Sequence, residues 1–412
     1  MTSPPPSGPG RPGSQTALRR RNRQTVVHAL LANGPATQAE LARQTGLSNA
    51  TVSNIVKELA QEGLAVTEPT TSSGRRALSV RLQGTRAVAA GFDVGRRHLR
   101  VVLATVGYEV LAEDAIALPI GHSAEDGLDA AAAMLDKLVD KAGIERRAVI
   151  GAGVGLPGPI ERERGTVLDG AILPAWIGTN VPKAFGERLG LEVLVDNDAN
   201  LGAMAEIAWG ERQDATELIF VKVGTGIGAG LVIGGKLHYG ALGTAGEIGH
   251  TTVDPQGPFC RCGNRGCLET LASTSTMIES LAPSTTGPVS TADIVRRGLE
   301  GDSATLRVID DAGFVLGRVM ASLANFVNPQ VIVVGGPLAA LGDAFLDPIR
   351  RGLVRHAVPV VGETTQIVVS SLGDRAEALG AASLVLQHAG LNSSLRSLLD
   401  DKAVDGLTAR HV

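Results

Sequence analysis

The chain is poor in cysteine and in aromatic residues, and it contains no long apolar run. Cysteine occurs three times in 412 residues, and Phe, Trp and Tyr together make up 3%. Because Cys260, Cys262 and Cys267 are odd in number and clustered, they disfavour a disulfide framework and predict a reducing cytoplasm and a metal site. No segment approaches about 18 consecutive apolar residues, and the N-terminus lacks an apolar signal core. The sequence therefore predicts neither a membrane partner nor secretion.

Glycine, by contrast, is abundant. It accounts for 52 of the 412 residues, against a norm of about 7%. With 44% apolar residues, the chain has ample material for hydrophobic cores. This composition and length favour an α/β protein of two to three domains, with tight turns and close packing of small residues.

Positive charge is concentrated near the N-terminus. Residues 1–86 hold 11 Lys and Arg against 4 Asp and Glu, a net charge of +7, while the rest of the chain carries −11. A basic segment attached to an acidic body indicates that the segment binds a polyanion. Charge alone leaves open a chance imbalance of surface residues.

The first 85 residues divide into a tail and a compact unit. Residues 1–14 are rich in Pro, Gly and Ser and are predicted to be a disordered tail. In the unit over 15–85, an apolar helical stripe ends at residues 33–35, Thr37 and Glu40 form a capping box for a second helix, and Ser48 can cap a third. The apolar stripes of the first and third helices are Leu18, Val26, Val27, Leu30 and Leu31, and Val52, Ile55, Val56 and Leu59.

Three helices followed by a hairpin with Arg75 and Arg76 at its tip predict a winged helix-turn-helix that binds double-stranded DNA. The third helix has a small polar face suited to the major groove, carrying Asn49, Ser53 and Lys57. Arg75 and Arg76 are expected to reach phosphate or the minor groove, and further phosphate contacts are expected from Arg19, Arg20, Arg21 and Arg23. A three-helix interaction module with a solvated basic face is the alternative.

The larger part of the chain, 86–390, contains a repeated pattern. Strand, glycine turn and strand follow one another at 88–104 and again at 218–233, which predicts a duplicated α/β unit with two lobes facing a cleft. We assign lobe 1 to about 86–205 plus a C-terminal helix at 375–388, lobe 2 to about 206–372, and a tail to 391–412. Helical patterns lie at 126–142, 200–211, 289–300 and 303–326, and a further buried strand at 331–334.

Two segments of this body carry candidate chemistry. The run 223–230 has four glycines, which suit a phosphate cradle but would equally serve a hairpin packed closely against its neighbour. In the segment 195–200, Asp198 could act as a general base and Asn197 could orient a hydroxyl substrate. An Asx turn or a helix N-cap would require the same residue types.

One histidine and three cysteines form the sharpest cluster. His250, Cys260, Cys262 and Cys267 match the composition of a closed tetrahedral zinc site, and the intervening glycines permit a knuckle that directs the thiolates inward. Such a site would rigidify the loop between Glu247 and Glu269, with one ring nitrogen of His250 on zinc and the other facing either a ligand or a neighbouring hydrogen-bond acceptor. The alternative is three ordinary cysteines and an unrelated histidine.

Together these segments resemble the ROK family of repressors, open reading frames and sugar kinases. The resemblance rests on 153–159, 197–200, 224–230, 247–250 and the cysteine cluster through Glu269, and it covers roughly residues 87–388. It implies an actin/hexokinase-like two-lobed fold, and the N-terminal winged helix is similar to that of the family's transcriptional repressors. It also implies sugar contacts at Asn197, Asp198, Glu247, His250 and Glu269, a kinase-base position at Asp198, phosphate loops at Gly95, Gly224, Thr225, Gly226 and Gly228, and structural zinc on His250, Cys260, Cys262 and Cys267.

The first phosphate loop departs from the kinase pattern. Where the family's kinases have Asp-x-Gly-Gly-Thr, this chain has Asp93-Val94-Gly95-Arg96-Arg97. Two bulky side chains replace a glycine and a hydroxyl, which argues against efficient phosphoryl transfer and against ATP as a cofactor. The second loop is intact, and arginine binds phosphate well.

We therefore favour a cytoplasmic, sugar-responsive transcriptional regulator, acting as a repressor, without enzymatic activity. Its partners would be an operator duplex and a sugar or sugar phosphate, and the family resemblance together with operator symmetry implies a homodimer or homotetramer. Two alternatives remain: an active ATP-dependent sugar kinase with a fused DNA-binding domain, and a zinc-stabilised body that controls DNA through a protein partner.

Overall fold

The computed structural model describes residues 22–391 except 24, 28, 31–32, 62–63, 73–74, 83–86, 162–163, 169–171 and 285–286. The predicted tails at 1–14 and 391–412 lie outside the described residues, apart from Leu391, which ends a helix. Leu18, Leu31, Arg19, Arg20 and Arg21 also lie outside them.

The N-terminal unit has the predicted helices. The described residues between 22 and 33 are helical, and α1 (Gln38–Thr45) begins at the predicted capping box of Thr37 and Glu40. In α2 (Asn49–Gln61), the Ser48 hydroxyl accepts the Thr51 N–H at 3.1 Å, and the four predicted apolar residues are buried. The capping-box and stripe predictions are thus confirmed for the described residues.

The wing is a three-stranded antiparallel sheet rather than the predicted hairpin alone. Its strands are β1 (Ala36–Thr37), β2 (Ala65–Ser72) and β3 (Arg75–Leu82), in the order β1-β3-β2. Ala36 pairs with Val80, so β1 ties the start of α1 to the wing. Two residues are too few for a periodic pattern, which is why sequence reasoning missed β1.

Lobe 1 is built on a five-stranded sheet of order β10-β7-β4-β5-β6, with β7 and β10 parallel to β4. Helices cover both of its faces. The elements are β4 (Val88–Val94), β5 (His98–Thr105), β6 (Val110–Ala117), α3 (Ala124–Ala142), β7 (Val149–Leu156), a small hairpin of β8 (Ile160–Glu161) and β9 (Thr166–Val167), α4 (Val181–Leu189) and β10 (Val193–Asn197).

Lobe 2 is built on a second five-stranded sheet, of order β13-β12-β11-β14-β15. A helix, α5 (Asp198–Ala208), leads into it from β10. The further elements are β11 (Leu218–Val223), β12 (Ile227–Ile233), β13 (Lys236–His238), α6 (Glu269–Ala272), α7 (Thr274–Leu281), α8 (Thr291–Leu299), α9 (Ser303–Val327), β14 (Val331–Gly335), α10 (Asp343–His356), α11 (Pro359–Thr364) and β15 (Gln366–Val369). The last described helix, α12 (Ala376–Leu391), returns to lobe 1.

Two helices lie between the sheets. α12 packs on lobe 1 so closely that a side chain at Gly91 of β4 or Gly153 of β7 would collide with the backbone of α12. α5 packs on β11 and β12 and against α12. The carboxyl ends of β4, β10 and β11 consequently meet at one cleft, the usual position of a ligand site in such sheets. The fold is the predicted α/β winged-helix protein with a two-lobed actin/hexokinase-like body.

Candidate functional site

The cleft between the lobes has a volume of about 250 Å³ and is lined by both. It brings together every residue that was predicted to contact sugar or to form the two phosphate loops. These are Asn197, Asp198, Glu247, His250 and Glu269, with Gly95, Gly224, Thr225, Gly226 and Gly228 of the two glycine turns.

Asn197 and Asp198 start α5, so the helix-capping role left open by the sequence is present. The Asn197 Oδ1 accepts the Ala199 N–H at 2.9 Å, and its amide donates to the Gly158 carbonyl at 3.0 Å. Asp198 accepts the same Ala199 N–H through Oδ1 at 2.8 Å, and its Oδ2 lies 2.9 Å from the Nζ of Lys222. Both carboxylate oxygens of Asp198 are therefore held in place while one edge lines the cleft.

Sequence reasoning missed Lys222 and its second partner, Glu377 of α12. The Lys222 Nζ lies 3.0 Å from the Glu377 Oε1, and the two side chains are 17% and 5% exposed. Burial opposes the charge on Lys222, but Asp198, Glu377 and Asp93 outweigh it and raise its pKa well above the ordinary value. Burial raises the pKa of Glu377 to about 7. A charged residue within the otherwise apolar strand β11 was the available signal.

Glu269 is held by two donors in lobe 2. Its Oε2 accepts the Ile227 N–H at 3.1 Å, and Arg261 binds both carboxylate oxygens at 2.8 and 3.0 Å. Arg261 lies between Cys260 and Cys262 in the cysteine cluster. The cluster thus positions a predicted sugar-binding carboxylate through Arg261, a residue that sequence reasoning had not singled out.

The first glycine turn is closed by its own residues. The Gly95 N–H donates to the His98 carbonyl at 2.9 Å, and the His98 imidazole covers Gly95 and lies 2.7 Å from the Asp93 Oδ2. Burial acts to raise the pKa of Asp93, but His98 and Lys222 outweigh it and hold the pKa at about 2. Asp93 in turn raises the pKa of His98. The Nε2 atom of the buried His122 lies 3.2 Å from the Gly95 carbonyl oxygen and helps to hold the turn in place.

The second glycine turn is packed against lobe 2 and α5. The Gly224 N–H donates to the Gly226 carbonyl at 2.9 Å. A Cβ at Gly226 would lie 2.7 Å from the Glu269 Oε2, and one at Gly230 would collide with the Ala199 carbonyl. Close packing, the alternative to a phosphate cradle, therefore accounts for at least these two glycines.

The histidine and the three cysteines converge on one point. Their ligand atoms all lie within 4.8 Å of one another, with 3.5 Å between the Cys260 Sγ and the His250 Nδ1 and 3.7 Å between the Cys262 and Cys267 Sγ atoms. A tetrahedral zinc with bonds of about 2.0–2.3 Å separates its ligand atoms by roughly 3.3–3.8 Å, so the residues fit the ion. The other ring nitrogen of His250, Nε2, faces Glu247 at 3.9 Å in the cleft.

Of the candidate DNA-contacting residues, three lie on α2 and two lie at the start of β3. Asn49, Ser53 and Lys57 are exposed on α2, opposite its buried stripe. Arg75 and Arg76 begin β3, opposite Ser72 and Thr71 of β2, at the tip of the wing. Their side chains lie outside the described part of the structure.

Among the described helices, none is long and apolar enough to span a bilayer.

Two family models match parts of the chain. The ROK family profile matches residues 89–388, and the MarR family profile matches residues 24–76. A putative xylose repressor of Caldicellulosiruptor sp. is 31% identical over 91% of this chain and 97% of its own length. A glucokinase of Halalkalibacterium halodurans is 32% identical over 72% of this chain and 94% of its own. The crystal structure of a ROK family transcriptional regulator, a homologue of the E. coli MLC protein, superposes with a TM-score of 0.74 at 26% identity, covering 93% of this chain and 99% of that one.

Proposed function

Because this chain belongs to the ROK family, we propose that it is a sugar-responsive transcriptional repressor. One observation carries the proposal: a cleft lined by carboxylates, an amide and an imidazole occurs in the same chain as a winged helix with an exposed polar face on α2. The winged helix binds an operator, and a sugar or sugar phosphate in the cleft changes that binding.

Sugar recognition fits the chemistry of the cleft. Asn197, Asp198, Glu247, His250 and Glu269 offer oxygen and nitrogen atoms that pair with hydroxyl groups. A sugar with one hydroxyl misplaced would leave buried partners unsatisfied, which is how such sites discriminate between epimers. Arg96 and Arg97 also line the cleft and supply charge for a phosphorylated sugar.

Helix α5 runs from this cleft towards a cavity that the winged helix also lines. α5 begins in the cleft at Asp198 and ends at Ala208, and the next residue, Trp209, donates its indole N–H to the Tyr108 carbonyl of lobe 1 at 2.9 Å. Tyr108 and Trp209 line a cavity of about 490 Å³ with Leu30 and Pro35 of the N-terminal unit. A sugar that favours a closed body would change the contacts between the body and the winged helix. In a homodimer or homotetramer, two winged helices would then no longer match DNA half-sites about one helical turn apart.

Zinc would have a structural role. His250, Cys260, Cys262 and Cys267 would hold it, and the ion would supply a rigid knuckle that orients Arg261 towards Glu269. The His250 Nε2 remains directed at the cleft, which allows that residue to serve both the ion and the sugar.

An active ATP-dependent sugar kinase is the second candidate, favoured by the glucokinase relative and by the glycines of the turn after β11. The first turn opposes it, because Arg96 and Arg97 replace small residues and the His98 ring covers Gly95. Phosphoryl transfer depends on precise positioning, so an obstructed phosphate loop argues for a sensor without efficient catalysis. We propose that Asp198, at the kinase-base position, is vestigial as a base.

The test uses the full-length protein and a duplex that the protein itself selects from a random pool. A panel of sugars and sugar phosphates should contain a ligand that raises Tm and releases the duplex. Asp198→Asn should weaken both effects, whereas Asp140→Asn, an exposed acid on α3, should not. Arg75→Ala with Arg76→Ala should weaken binding of all duplexes and reduce the salt slope by up to about 2.

Three outcomes would overturn the proposal. ATP-dependent sugar phosphorylation by the wild type at roughly 1–100 per second, lost in Asp198→Asn, would establish the kinase. If no sugar changes duplex binding but a protein partner does, the body controls DNA binding through that protein partner. Absence of duplex selection would remove the DNA-binding role.

A further inference from the structure

A lysine lies at the floor of the cleft, in a strand that is otherwise apolar. Lys222 is the fifth of six residues in β11, and the other five are Leu, Ile, Phe, Val and Val. Its side chain is 17% exposed and lines the cleft immediately before the second glycine turn. Burying an ammonium group here is unfavourable unless it is paired, so its partners must account for it.

The partners of Lys222 come from other elements of both lobes. Its Nζ lies 2.9 Å from the Asp198 Oδ2 at the start of α5 and 3.0 Å from the Glu377 Oε1 on α12. Asp93 at the end of β4 also stabilises the lysine charge. These carboxylates are 12%, 5% and 3% exposed, respectively. One ammonium group therefore pairs directly with two buried acids, while the third, Asp93, has the His98 imidazole as its partner at 2.7 Å.

In a kinase, a divalent cation would be needed close to this position. Mg²⁺ bridges the phosphate oxygens of the nucleotide and neutralises the charge that develops during transfer, and it is bound by carboxylate oxygens. In the family resemblance, Asp93 belongs to the first phosphate loop and Asp198 stands at the kinase-base position. The ammonium group of Lys222 lies among these same carboxylates.

We propose that Lys222 is a built-in cation: it positions Asp198 as a fixed acceptor for a sugar hydroxyl, and it takes the place of a divalent metal in the cleft. The first half of this inference rests on the proposed sugar response, and the second half does not. Asp198 can still accept a sugar hydroxyl, because Lys222 and the Ala199 N–H each use only one acceptor site on a different oxygen. The cleft recognises a sugar without a metal nucleotide.

The decisive experiment measures Mn²⁺ binding, because Mn²⁺ takes oxygen ligands and is visible by electron paramagnetic resonance. Zinc-loaded full-length wild type should bind no Mn²⁺ in the cleft. Lys222→Ala should gain about one Mn²⁺ per chain, and Lys222→Ala with Asp198→Asn should lose it again. The matched control is Lys137→Ala, which removes an exposed lysine paired with Asp114 at 2.7 Å and should gain nothing.

Folding of the variants is checked by circular dichroism. If Lys222→Ala does not fold, Lys222→Ala with Glu377→Gln replaces it, because that variant leaves fewer unpaired acids and still offers Asp93 and Asp198. Two results would contradict the proposal that Lys222 excludes a metal ion. Either the wild type binds Mn²⁺ as tightly as the folded Lys222 variant, or the folded Lys222 variant binds no Mn²⁺.

The positioning of Asp198 by Lys222 is tested with the sugar or sugar phosphate that raises Tm in the panel described above. Lys222→Met should lower its affinity by about tenfold, the scale of one lost charged hydrogen bond, whereas Lys137→Met should not change it. Sugar affinity of the wild type should be the same with and without added Mg²⁺. A Mg²⁺ requirement, or unchanged affinity in folded Lys222→Met, would overturn the positioning role. Since Mn²⁺ binding needs no sugar, failure of the sugar response leaves the metal measurement intact.

Discussion

The turn after β4 and the turn after β11 occupy equivalent places at the starts of the two lobes, yet different partners close them. In the first, the His98 imidazole lies over Gly95 and pairs with Asp93, all within one hairpin. In the second, Glu269 lies against Gly226 and is held by the Ile227 N–H and by Arg261 of the cysteine cluster. The first turn is thus locally closed, whereas the second depends on a distant segment.

This difference indicates how a duplicated unit can acquire separate roles. Phosphate binding by a glycine turn requires open backbone N–H groups. The first turn has its Gly95 N–H bonded to His98 and its floor fixed by His122. The second turn instead presents a carboxylate, Glu269, to the cleft. Both turns bond a glycine N–H internally, Gly95 to His98 and Gly224 to Gly226, but the second turn also lies against Glu269, a carboxylate that lines the cleft.

The largest expected effect tests the dependence of the second turn on the cysteine cluster. Cys262→Ser should abolish metal binding, because the site then lacks one of its four ligands. The effect should be large, since zinc binding contributes roughly 10–16 kcal/mol to the folding free energy of small zinc domains. Metal analysis should fall from about one zinc per chain to none. Hydrogen exchange should increase at 224–228 and 247–269 and remain unchanged at 95–98. Equal loosening of both turns would show that they are not independent.

An intermediate effect is expected from Gly226→Ala. The added Cβ would lie 2.7 Å from the Glu269 Oε2 and 2.9 Å from Ile172, so the carboxylate must move. Sugar affinity should fall by about tenfold, the effect of one misplaced hydrogen bond to a charged group. Gly228→Ala is the control, since its Cβ would meet Ala199 at an ordinary 3.4 Å. Isothermal titration of both variants would detect the difference, and equal affinities would refute it.

The smallest effect concerns the local ion pair of the first turn. The pKa of His98 is raised from 6.5, so its stabilisation is present below that pH and is lost as pH rises through the raised value. The pKa of Asp93 is lowered from 3.8 to about 2, so its stabilisation is present above 3.8 and is lost as pH falls towards 2. Their pairing should therefore stabilise the fold most between pH 3.8 and 6.5.

Because the His98 side chain is 45% exposed, solvent screens the pair, and its contribution should stay under about 1 kcal/mol. His98→Gln should lower Tm slightly at pH 5 to 6, and the difference should shrink towards pH 8. His238→Gln, at an exposed histidine of β13, should show no such trend. A difference that grows with pH would contradict the assignment.

Features that depend on neighbouring residues could be predicted from the amino-acid sequence alone. Thr37 with Glu40, the stripe on α2, and the strands on either side of each glycine turn follow from spacings of two to eight residues, and the structure has them. The spacing of the cysteines likewise fixed a compact cluster, which His250 completes from ten residues away. Local geometry restricts such patterns to few conformations, so they can be predicted.

Which charged side chains pair with one another depends on the three-dimensional packing of the chain. Lys222 contacts Asp198 and Glu377, which lie 24 and 155 positions away in the chain, and nothing in either local segment indicates the pairing. The same holds for Arg261, whose place between two cysteines gave no sign that it would hold Glu269 in the cleft. Long-range ion pairs form because packing of β11, α5 and α12 removes these groups from water together, and that packing is a property of the whole fold.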